Sequence, residues 1–128
     1  LATANDLPLG VLDLRHALEV ARLSAQLGYP VAGELLEARL ARLLASPTHV
    51  AFGAERGGRL PGWVAGETRF SLESDPRVEI TGLVVDFAAR RAGVGRLLVA
   101  GVEAWALRQG QHALFVRSNV VRPESHPF

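Results

Sequence analysis

Seven consecutive residues carry the most chemistry in this chain: Arg90, Arg91, Ala92, Gly93, Val94, Gly95 and Arg96 place three guanidinium groups around two glycines. That combination suits an anion. Gly93 and Gly95 have no side chain to hold a phosphate away from the backbone, and the arginines add donors and full positive charge. The arrangement gains strength if the turn opens a helix. The first helical N–H groups lack intrahelical partners, and the helix dipole adds partial positive charge at the same place. The segment is then a cradle for a phosphate or pyrophosphate.

The flanking residues supply the elements such a cradle needs. Val94, Leu97, Leu98, Val102 and Trp105 follow the three-and-four spacing of a helix that buries one face. Val78 to Val85 is β-branched or apolar at nearly every position after Glu79, which predicts a central strand covered on both faces. Glu79, Thr81, Leu83 and Val85 fall on one face by simple alternation. Earlier in the chain, Asp6-Leu7-Pro8 marks the start of a first helix. Its buried stripe is expected at Leu14, Ala17, Leu18 and Ala21, with Asp13, Arg15, Glu19 and Arg22 towards water, ending at Gly28-Tyr29-Pro30. A second helix from Gly33 to Ala45 buries Leu36, Leu40, Leu43 and Leu44.

From His49 the texture turns to strand. HVAFGAE, a turn at Arg56 to Arg59 and PGWVAGETRFSLE read as a hairpin, and Ser74-Asp75-Pro76 turns the chain into the central strand. After the glycine-turn helix, Gln109-Gly110-Gln111 breaks the pattern and His112 to Arg117 returns as a strand. A strand–helix–strand crossover places those two strands parallel. The order ααβββαβ describes an α/β (α+β) mixed sheet with helices packed on it.

Composition narrows the function classes. At 128 residues the chain suits one domain, 1–128, with a substantial core. It has no cysteine, which removes disulfides, thiol catalysis and cysteine metal sites, and its apolar runs are too short for a membrane span. All 14 basic residues are arginine, yet 13 acids nearly cancel them, so the net charge of +1 makes no case for a nucleic-acid partner. With no leader-like segment, a cytoplasmic location is the expectation.

The run LVVDFAARRAGVGRLL, with Arg90-x-x-Gly93-x-Gly95 between an apolar strand and an amphipathic helix, resembles the acetyl-CoA-binding motif of the GNAT superfamily of N-acetyltransferases. The element order fits that superfamily over nearly the whole chain. The tail SNVVRPESHPF is similar to the SN-x-x-R-x-x-A-H-x-F-Y pattern of some bacterial members, with Ser125 in place of alanine. A dinucleotide fold or Walker loop fits less well, because the turn lacks a third glycine and a Gly-Lys-Ser/Thr sequence.

The resemblance implies acetyl-CoA as donor, with direct transfer to a primary amine of a small molecule, no metal, and a homodimer. It places the pantetheine arm along the backbone of Leu83, Val84 and Val85, the pyrophosphate on the N–H groups of Arg91 to Arg96 beside Arg90, and a cofactor contact at Asn119. Phe87 stands where proline is common. Glu79 corresponds to a strand glutamate that serves as general base in some members, against the plainer reading of a carboxylate paired with Arg69 or Arg77. The tail pattern implies a tyrosine acid immediately after Phe128 and a final helix and strand, so that the chain is cut at both ends and the short first strand of the family order is missing. Acidic residues for a cationic acceptor are available at Glu34, Glu37, Glu67 and Glu73. Tyr29 is an acceptor-side or structural residue. His16, Trp63 and Trp105 have structural readings, and His49 and His112 lack ligand partners at metal spacing. The alternatives are a non-catalytic acetyl-CoA sensor and a protein or peptide N-acetyltransferase.

Overall fold

The computed structural model describes residues 9–116. Five strands form one mixed sheet in the order β1-β2-β3-β4-β5: β1 (Leu9–Val11), β2 (His49–Arg56), β3 (Arg59–Arg69), β4 (Arg77–Val85) and β5 (Leu114–Val116). Neighbours are antiparallel except β4 and β5, which run parallel as the intervening crossover helix requires. The β2–β3 hairpin closes on Gly57 and Gly58, whose φ angles of 57° and 80° are the pair that a two-residue hairpin turn of matching twist demands.

Helices cover both faces. On one, α3 (Val94–Arg108) buries Val94, Leu98, Val102 and Trp105 against Val50, Phe52 and Val64 and against Val78, Ile80 and Leu83 of β4. On the other, α1 (Ala17–Gln26) and α2 (Gly33–Leu44) bring Val20, Leu23 and Leu40 onto Ala51, Leu60, Ala65 and Val84. The strand residues of the two sets interleave, the period-two pattern of a sheet buried on both sides.

Three expectations change at the start of the chain. Leu9–Val11 is a strand antiparallel to β2, so the family's short first strand is present. Asp6 lies outside the described residues, and the start signal that operates is Asp13, whose carboxylate accepts from Arg15 N at 2.9 Å and opens a 3₁₀ turn at Leu14–His16 that leads into α1. The buried stripe is Ala17, Val20, Leu23 and Ser24, while Leu14 and Leu18 are 44% and 76% exposed. The stripe is set by the side of α1 that docks, where Val20 and Leu23 pack with Leu40 of α2 and Ala51, Leu60 and Val84 of the sheet.

The most consequential irregularity is in β4. Ala65 pairs with Gly82 but Gly66 pairs with Ile80, which leaves Thr81 as an extra residue. Such a bulge reverses the alternation. Leu83 and Val85 therefore join Val78 and Ile80 on the α3 side. Glu79 stays on the side of Thr81 and Gly82, so the expectation that Glu79 shares a face with Leu83 and Val85 is corrected.

Candidate active site

The cradle is built where β4 hands the chain to α3. Asp86 leaves the strand with its N–H donating to Pro61 O at 2.8 Å, and its carboxylate accepts from Ala88 N at 3.1 Å, capping a 3₁₀ turn at Phe87–Ala89. Arg90 lies with its guanidinium carbon 4.2 Å above the Phe87 ring centre, a cation–π contact that gives Phe87 a definite task. Arg91 then takes φ 68° and Gly93 φ 85°. Both are left-handed conformations, permissive for glycine and costly for arginine. Alternation of this kind curls successive N–H groups towards one concavity.

No side chain caps the N-terminus of α3, and the first of its N–H groups to reach a backbone carbonyl is that of Leu97, donating to Gly93 O at 3.1 Å. Among the described residues, the N–H groups of Gly93 to Arg96 thus have no backbone acceptor. The loop presents donors, positive charge and a dipole end together, and these residues fit a pyrophosphate. On the preceding strand, Leu83, Val84 and Val85 pair with Val64, Trp63 and Gly62 of β3 on one edge. Pairing with β5 is described only for Val78, Glu79 and Ile80, which leaves the second edge of Leu83 to Val85 without a described strand. Asn119 lies outside the described residues, as do Ser125 and His126.

A second network ties this loop to α1. Arg22 makes a two-pronged bond to Glu19, both contacts at 2.9 Å, and donates to Asp86 at 2.9 Å. Glu19 accepts from Leu60 N at 2.9 Å, and Gln26 bridges the side chain of Asp86 and the N–H of Phe87. The hydrogen bond from Arg22 holds the Glu19 carboxyl below its ordinary range. For Asp86 burial works upward, but bonds from Ala88, Arg22 and Gln26 outweigh it and the carboxyl is lowered. Glu19 and Arg22, expected to face water, are half-buried parts of the site's support, a role that single-helix periodicity could not reveal.

Glu79 is 6% exposed and accepts from Arg69 at 3.2 Å and from Arg77 at 3.0 Å. Burial raises its pKa, yet the two arginines prevail and the carboxyl sits below its usual value. Arg77 also stacks over Phe115 of β5 at 4.5 Å, so the pair is anchored to both neighbouring strands. A polar pocket of about 290 Å³ adjoins Glu79, lined by Arg69, Arg77, Glu73 and the residues between β3 and β4.

The expected acidic mouth is dispersed. Glu34 and Glu37 line a groove between the first 3₁₀ turn and α2, Glu73 lies in the pocket beside Glu79, and Glu67 is paired with His49 at 3.0 Å. His16 is buried: its Nδ1 accepts from Asp13 N at 3.0 Å, so the ring proton is on Nε2, which meets Glu55 at 3.1 Å. Among the described residues no group of three or more acidic or histidine side chains could hold a metal ion, and no helix is long and apolar enough to cross a membrane.

Residues 15–128 match the family model for the acetyltransferase (GNAT) family. The chain belongs to this family. Membership makes it an acyltransferase with acetyl-CoA as donor. A comparison with curated proteins gives no match. Among solved structures the fold is similar to an aminoglycoside antibiotic 6'-N-acetyltransferase from Acinetobacter haemolyticus, with TM-score 0.79, 18% identity, and coverage of 94% of this chain and 85% of that one. A GNAT family acetyltransferase from Staphylococcus aureus gives TM-score 0.78 at 17% identity, covering 95% and 91%. A ribosomal-protein-alanine N-acetyltransferase from Brucella melitensis gives 0.66 at 21%, covering 87% and 79%. At such identities the likeness is one of fold.

Proposed function

We propose that this GNAT domain, taken as one unit over residues 1–128, is a cytoplasmic, homodimeric N-acetyltransferase that moves an acetyl group directly to a primary amine of a small molecule. The observation that carries the cofactor half is the uncapped N-terminus of α3 behind two left-handed residues, Arg91 and Gly93. The N–H groups from Arg91 to Arg96 hold the pyrophosphate, Val94 and Gly95 contributing backbone alone and Ala92 turning its N–H from Ala89 O, 3.4 Å away, to the ligand. Arg90, steadied on Phe87, adds charge at the rim. The edge of Leu83, Val84 and Val85 that carries no described strand pairs with the pantetheine amides as another strand would, and Asn119 adds a further contact. When bound, acetyl-CoA supplies a thioester carbonyl open to attack by a neutral amine.

Glu79 accepts the proton that the amine must lose, and Arg69 and Arg77 keep it ionised and ready. The same double pairing favours a second reading, a non-catalytic acetyl-CoA sensor, because a carboxylate held this firmly is a weak base. The structural neighbours named above include enzymes for both a small antibiotic and a ribosomal protein, so fold does not choose between acceptor classes.

Calorimetric titration with acetyl-CoA followed by a thiol-release assay over a panel of amines tests the proposal. Binding with release for a small amine is the expected result. Binding without release would favour the sensor, and absence of binding would overturn both; light scattering checks the dimer.

A further inference from the structure

Among the described residues, a further cleft lies apart from the cradle, the Glu79 pocket and the acidic groove. It has a volume of about 180 Å³ and lies between α2 and the sheet, bounded by Leu36, Leu40 and Leu43 of α2, Trp63 of β3, and Thr81 and Gly82 of β4. Its location is set by the bulge: Thr81 and Gly82 both line it, one residue before the Leu83–Val85 edge that receives the donor's arm in the reading above. Gly82 is required there, because a Cβ would come within 2.8 Å of the Trp63 ring atoms Cη2 and Cζ3.

The chemistry of the walls is one-sided. Among the described lining residues there is no carboxylate, and the single charged one is Arg39, which is exposed at the edge and makes no ion pair among the described residues. The indole N–H of Trp63 is buried and has no hydrogen-bond acceptor among the described residues. A buried donor without a partner is uncommon and marks a place where a ligand oxygen would be favoured. An apolar cavity of about 150 Å³ is large enough for benzene. A polycationic sugar would meet a wall of leucines and a positive charge here, whereas an apolar body bearing an anion would find a partner for each part.

We propose that the acceptor is an amine on an apolar, aromatic-sized body that also carries a carboxylate, the class of apolar α-amino acids, with the body in this cleft and the carboxylate on Arg39. The inference rests on the acetyltransferase reading and deepens it. Apolar walls also favour the neutral form of the amine, the form that attacks a thioester.

The test uses the full chain with acetyl-CoA and three amines: phenylalanine, phenethylamine, which lacks the carboxylate, and the aminoglycoside kanamycin. Thiol release is expected with phenylalanine at a KM at least about tenfold below that for phenethylamine, the usual worth of one charge-assisted bond. Arg39→Ala should remove that difference by raising KM for phenylalanine to the level of phenethylamine, and Arg39→Lys should restore part of it. Calorimetry of phenylalanine binding to the CoA-saturated protein gives a readout independent of turnover, and Leu36→Trp, at a half-buried position, should abolish that binding without altering affinity for CoA. Release with kanamycin but neither apolar amine, or equal phenylalanine kinetics in Arg39→Ala, would overturn the acceptor class and leave the acetyltransferase reading standing. Failure of acetyl-CoA itself to bind would overturn both.

Discussion

Gly93 and Glu79 show what individual residues contribute. With φ at 85°, Gly93 occupies a conformation that costs an L-residue about 1–2 kcal/mol. Gly93→Val is expected to lower stability by about that amount, read by urea unfolding, and to weaken acetyl-CoA binding in calorimetry well beyond what the stability loss explains, because the new side chain also fills the anion site. Glu79→Gln should leave CoA binding intact. If Glu79 is the base, the variant should be slower by about 10²-fold, the low end for general base catalysis by a carboxylate of depressed pKa. The deficit should be greatest at low pH, where the amine is protonated, and shrink as pH rises; parallel pH profiles would leave Glu79 a purely structural ion pair. The glycine turn was legible from residue types alone, since only local backbone freedom and charge are involved. The left-handed conformation of Arg91 was not, because arginine has no preference for it and the surrounding turn imposes it.

At the scale of elements, the junction between β4 and α3 is held from outside by α1. Asp86 caps the turn that carries Phe87 and receives Arg22 and Gln26, both from α1. Asp86→Ala should cost about 1–2 kcal/mol, the worth of a cap whose removal also leaves partners unsatisfied. Because the turn leads straight into the cradle, acetyl-CoA affinity should fall even though Asp86 faces away from it. Arg22→Gln should produce a smaller loss of both; full affinity in either variant, measured by calorimetry, would separate the network from the site. The helices and hairpin were readable from hydrophobic spacing and turn residues, as β2, β3, β4 and α2 show. The first helix was placed too early because Leu14 and Leu18 match a helical stripe by chance, while the strand Leu9–Val11 is only three residues long and its pairing partner, β2, begins 38 residues later in the chain.

Over the whole molecule, acid stability follows from carboxylates held in ionised form. Hydrogen bonds from Arg15 and then His16 lower Glu55 to about 2 from 4.5, and Glu19, Glu79 and Asp86 are lowered too. A depressed folded-state pKa means that the unfolded chain binds protons first as pH falls, so these groups contribute stability in full above about 4.5 and lose it on descent through their folded values. The urea midpoint should therefore be level from pH 7 to 5 and drop between pH 4.5 and 2, with a shallower drop in Glu55→Gln. From sequence alone came the family, the mixed sheet, the central strand and the glycine turn that opens α3, because each depends on short-range periodicity or on residue types a few positions apart. Only the tertiary structure decided which face Glu79 occupies, that Arg69 and Arg77 both hold it, that Arg22 reaches Asp86, and that an apolar cleft edged by Arg39 opens beside the bulge. The physical reason is the same in each case. A one-residue bulge depends on how two strands settle against their helices, and a contact between residues 64 positions apart leaves no periodic trace in either segment.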